Sequence, residues 1–141
     1  MDPGDLFGIA NLSVLPAWLL LLAAPRWKHT SFVAGILFPV ILSIAYVVAL
    51  ASHWNEAKGG FGSLYSVKAL FANDWVLLAG WLHYLAFDLF VGSWEVRDAR
   101  RRQVTHWAVA PCLCLTFFFG PGGFVCYLLF RYMLGSRLSN A

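Results

Sequence analysis

Long apolar runs separated by short polar turns set the pattern of this chain. Four of them, about Asp5 to Ala24, Thr30 to Ala51, Asp74 to Val96 and His106 to Leu134, each reach the roughly 20 residues a helix needs to cross hydrocarbon. The pattern predicts an all-α fold: a polytopic membrane protein built as a four-helix transmembrane bundle. The opening Met1 to Asp5 carries no basic residue, so the first run reads as a mature helix rather than a cleaved signal. Between the second and third runs, Gly59, Gly60 and Gly62 precede Leu64, Val67, Leu70 and Phe71 at helical spacing, which predicts a short interfacial helix. In the fourth run, Gly120, Pro121, Gly122 and Gly123 remove a backbone donor and loosen the neighbouring turns, predicting a kinked or broken fourth helix. One transmembrane domain is expected over 1–138. Ser139, Asn140 and Ala141 resemble the remnant of a purification tag.

Composition agrees with the pattern. Hydrophobic residues make up 60% and charged residues 12% of the 141, with a mean hydropathy of +0.69, where a soluble domain is about a quarter charged. The basic residues cluster in two turns, Arg26 with Lys28 and Arg97 with Arg100, Arg101 and Arg102. Such clusters mark the cytoplasmic side; four crossings would place both termini outside the cytoplasm. A topology signal accounts for the net charge of +3, and no nucleic-acid partner is expected. Trp27, Trp54, Trp75, Trp94 and Trp107 fall near helix ends, as an interfacial belt would, whereas Trp18 and Trp81 lie deeper.

Candidate chemistry concentrates in the third run, where His83, Asp88 and Glu95 sit in a bilayer-length apolar segment. Ionisable groups at membrane depth are costly and mark functional sites by default. Asp88 and Glu95, seven apart, share a helix face with Trp81, Tyr84 and Val91, about 10 Å apart along the axis. His83 is turned about 140° from Asp88. Glu95, close to the arginines, is expected to pair with Arg97 or the following turn. Asp88 has two readings, an acid or base in a buried pocket and a structural cross-link to Asn11, Tyr46 or Thr116. No helical Glu-x-x-His or His-Glu-x-x-His spacing occurs, so no metal is expected. Cys112, Cys114 and Cys126 read as small hydrophobes.

The segments Asn11 to Trp27, Leu78 to Asp98 and Pro111 to Gly123 resemble the abscisic-acid-deficient-4-like membrane family, over nearly the whole chain. That resemblance implies a place in carotenoid or isoprenoid metabolism, since plant members are implicated in neoxanthin formation. The implied reaction is isomerisation of an epoxy-carotenoid to an allenic alcohol, without a cofactor. On that reading the catalytic residues are Asp88 as acid, with His83, Glu95 or Tyr84 as base, and Trp81, Tyr84, Phe87 and Phe118 bind the polyene. The alternative is a non-catalytic carotenoid- or lipid-binding subunit presenting substrate to another enzyme. The expected ligand is an apolar lipid or carotenoid, an assembly of identical chains is compatible with the bundle, and the absence of a plastid transit extension points to a bacterial inner membrane.

Overall fold

A computed structural model describes residues 2–138, all of whose regular elements are helical. Helix α1 covers Pro3–Ala23, α2 Thr30–Glu56, α3 Leu64–Leu70, α4 Asp74–Arg101, α5 His106–Phe119 and α6 Pro121–Leu138. The tag-like residues 139–141 lie outside the described residues. Helices α1, α2 and α4 are long and apolar enough to cross a membrane, and their outer faces expose Leu12, Leu19, Ile44, Val47 and Val48. Apolar side chains in such numbers on the outside suit a lipid environment.

Local sequence explains the helix limits. Pro3 occupies the first turn of α1, where its missing N–H costs nothing. The Asn73 side chain caps α4 by accepting from the Trp75 and Val76 amides at 3.0 and 3.2 Å. At the other end Gln103 takes the left-handed conformation (φ 55°), with Val104 N–H bonded to Ala99 O and Gln103 N–H to Arg100 O, a Schellman closure. Helix α2 contains a π-helical stretch over Val33–Leu37. It lies just before Pro39, which cannot supply the amide that Gly35 would otherwise bond.

Helix α4 is the central element, packed by α1, α2, α5 and α6 and burying thirteen residues from Val76 to Ala99. The core runs along it: Trp18 and Leu21 of α1 press on Gly92, and Leu89, Val96, Leu113 and Tyr127 are buried around it.

The fourth span is not a single crossing helix. Gly120 breaks it with φ +47°, and α6 folds back along α5, bringing the Cys112 and Cys126 sulfurs to 3.8 Å. Farther along, the Tyr127 hydroxyl and Arg131 guanidinium of α6 bond Asp98 at 2.7 and 3.0 Å, at the arginine-rich end of α4. His106, the first residue of α5, is at that same end, 2.8 Å from Leu22 O. Helices α5 and α6 thus form a hairpin that enters from the basic end and returns to it. The expected four-helix bundle becomes three long helices and a hairpin, and the last described residues run toward the basic end rather than away from it. The physical cause is the conjunction of Gly120, able to adopt positive φ, with Pro121, which starts a new helix but cannot continue the old one.

The short helix expected between the second and third runs is present as α3, capped by Ser63. It presents Leu64 and Tyr65 outward and buries Leu70.

Candidate functional site at the hairpin tip

Asp88 lies fourteen residues from the start of α4 and thirteen from its end, about 20 Å from either. The turn of the hairpin reaches the same depth. A Cβ at Gly120 would come within 2.8 Å of Asp88 Oδ1, so the carboxyl rests directly on the tip. Gly123 lies against the Thr116 backbone with no room for a side chain, which lets α5 and α6 close tightly beneath it. Asp88 Oδ2 is buried without a hydrogen-bond partner. One turn before it, the Tyr84 hydroxyl sits beside the Asp88 carboxyl and within reach of Phe118 O at 3.4 Å and Phe117 O at 3.5 Å in the last turn of α5, with a single hydrogen to give.

Two turns after Asp88 on the same face, Glu95 is fully buried. Its Oε1 lies 2.9 Å from Thr116 Oγ1, which is also 3.0 Å from Cys112 O, while Oε2 has no partner. The expected pairing of Glu95 with Arg97 does not occur: Arg97 donates to Ser93 Oγ at 2.7 Å. The arginines instead engage Asp98, through Arg102 and Arg131, because Asp98 sits nearer the aqueous end where both long side chains reach it. The i, i+4 spacing of Asp98 and Arg102 was the available signal for that pair.

None of the cross-links considered for Asp88 forms. Asn11 accepts from Trp81 Nε1 at 2.8 Å, Tyr46 packs on His83, and Thr116 belongs to Glu95. The rings of Trp81 and Tyr84 meet at a tilt, 5.1 Å apart, and Phe118 lies at the end of α5, largely exposed, against Phe117 and Phe119. His83 and Phe87 stack at 4.5 Å on the other side of α4, toward α2. The structure therefore brings together Asp88, Tyr84, Trp81, Phe117 and Phe118, places Glu95 below them, and separates His83 and Phe87 from the group. Among the described residues no three His, Cys, Asp or Glu side chains converge as metal ligands.

The model of a family described as ABA DEFICIENT 4-like matches residues 5–127. The chain belongs to the ABA4-like family. The match takes in both buried carboxyls, the whole hairpin tip and α6 as far as Tyr127. No curated protein and no solved structure matches the chain.

Proposed function

We propose that this ABA4-like protein acts in carotenoid or isoprenoid metabolism as a cofactor-independent isomerase, opening an epoxy-carotenoid to an allenic alcohol at the hairpin tip. The observation that carries the reading is the Asp88 carboxyl, buried at mid-span with one oxygen unpartnered and the tip against the other. A buried polar group without a partner costs free energy; a substrate oxygen supplies what is missing. Trp81, Tyr84, Phe117 and Phe118 offer the polyene an aromatic wall beside it.

In the reaction, the Asp88 carboxyl gives its proton to the epoxide oxygen as the ring C–O bond breaks. A base takes the vinylic proton, and that C–H electron pair becomes the second double bond of the allene. No electrons enter or leave. Position counts against His83, on the α2 side, and Glu95, held by Thr116 beneath the tip, and the Tyr84 phenol is a poor proton acceptor while it keeps its own proton. The base the reading favours is the second oxygen of the same carboxyl, since proton donation by one oxygen leaves the other able to accept.

A second reading, a carotenoid- or lipid-binding subunit without catalysis, draws on the cavity of about 380 Å³ between α2 and α4, walled by Gly35, Pro39, Val40, Phe87 and Phe90. It is apolar, and none of the described residues that line it carries a carboxyl.

Asp88→Asn separates the two. Asparagine keeps the shape and a donor but cannot transfer a proton. In cells making an epoxy-carotenoid, pigment chromatography is expected to show the allenic product with the wild-type chain and none with Asp88→Asn at equal protein level. Full activity in the variant removes Asp88 as the acid; pigment that co-purifies with both chains, without product from either, establishes the binding subunit.

A further inference from the structure

The basic end of the molecule holds a second cavity, of about 790 Å³, where the α1–α2 turn, the last turns of α4 and the start of α5 meet. Arg26, Arg97, Arg100, Arg101, Gln103 and His106 line it, and none of the described lining residues is acidic. Counter-charge is scarce there for a reason visible in the topology. Asp2, Asp5, Glu56 and Asp74 lie at the opposite end of the helices, and Asp88 and Glu95 are inside. The remaining carboxylate, Asp98, is taken on the hairpin side by Arg102, Arg131 and Tyr127.

A topology signal needs arginines only on an exposed turn. Here Arg97 is drawn inward, half-buried, bonded to Ser93 Oγ at 2.7 Å and resting on Gly35 of α2, where a Cβ would not fit. Arg100 donates to Pro25 O at 3.1 Å and His106 Nε2 lies 2.8 Å from Leu22 O. These bonds tie the α1–α2 turn to α4 and α5, so the cationic walls are braced rather than splayed by mutual repulsion. Guanidinium groups held in this way present planar forks of donors, the geometry that fits phosphate oxygens. Cationic pockets between membrane helices on the cytoplasmic side suit phosphate-bearing headgroups on the same grounds.

We propose that this cavity binds a phosphate-bearing anion, either a diphosphate group or a phospholipid headgroup, through Arg26, Arg97 and Arg101. The site is separate from the hairpin tip and does not depend on the reaction assigned there.

The test uses the full chain in a maltoside detergent, which brings no phosphate of its own. Inorganic pyrophosphate is titrated by calorimetry at fixed ionic strength, phosphatidylglycerol retention is followed by native mass spectrometry, and oleate serves as an anionic amphiphile without phosphate. At least one phosphate probe is expected to bind, and Arg97→Gln with Arg101→Gln to weaken it roughly tenfold or more, in line with the loss of charge-assisted bonds. Oleate binding is expected to be unchanged. Pyrophosphate binding alone identifies a soluble source and phosphatidylglycerol alone a lipid one. Binding of neither probe, equal binding by wild type and variant, or the same loss for oleate overturns the proposal. Should the double variant fail to fold, Arg26→Gln, on the exposed turn, carries the same expectation.

Discussion

Asp88 and Glu95 occupy one face of one helix, yet their surroundings give them different work. Glu95 has a fixed companion in Thr116, whose hydroxyl lies between Glu95 Oε1 and Cys112 O at 2.9 and 3.0 Å. A hydroxyl has one hydrogen, so it can donate to only one of these acceptors. This compact arrangement at full burial marks Glu95 as a clasp between α4 and α5, whereas Asp88 has the tip against one oxygen and no hydrogen-bond partner on the other. Thr116→Val keeps the shape and strands the carboxyl. It is expected to cost about 1–3 kcal/mol in detergent unfolding, while Glu95→Gln, which retains a donor and an acceptor, is expected to stay within about 1 kcal/mol of wild type. A neutral Thr116→Val would remove Glu95 from the structural role. Sequence spacing placed both carboxyls on one stripe, but their partners come from a helix that begins beyond the next turn, and the period of α4 holds no information about which of its groups that helix touches.

At the level of elements, α1, α2 and α4 were legible because hydrophobic run length alone defines a crossing helix. The glycine-proline break was legible as local chemistry. Direction was not. A break at Gly120 is compatible with a kink that continues forward or a turn that reverses, and the choice rests on Gly123 meeting Thr116 across the turn and on Asp98, far back along the chain, capturing Tyr127 and Arg131. The cysteines decide the matter by experiment. In a continuous helix Cys112 and Cys126 would stand about 21 Å apart; in the hairpin their sulfurs are 3.8 Å apart. A short bifunctional thiol reagent that enters the bilayer is expected to join them within one chain, detected as an intact mass gain that disappears in Cys126→Ser. Absence of the cross-link, with both thiols shown to be reactive singly, would rule the hairpin out.

On the scale of the whole molecule the hairpin changes the end of the molecule at which the described residues finish. Three crossings carry the chain from the acidic end, with Asp2 and Asp5, to the basic end with Arg97 to Arg102, and α5 and α6 then dip to the depth of Asp88 and come back. Reading four apolar runs as four crossings left Arg131 stranded on the wrong side of the charge rule; the return of α6 sets it beside Asp98, among the other arginines, and removes the conflict. With basic turns retained in the cytoplasm, the N-terminus is expected outside and the C-terminus inside. A fluorescent protein joined after Ala141 is therefore expected to fluoresce in the cytoplasm, and alkaline phosphatase at the same point to be inactive, while a cysteine introduced at Asp5 is labelled from outside by a membrane-impermeant reagent. The two ends report independently: outside labelling at Asp5 fixes the first crossing, and the C-terminal reporter then counts whether the chain crosses three times or four. An active phosphatase after Ala141 would require α5 and α6 to span as one helix, and would take the tip of the hairpin away from Asp88.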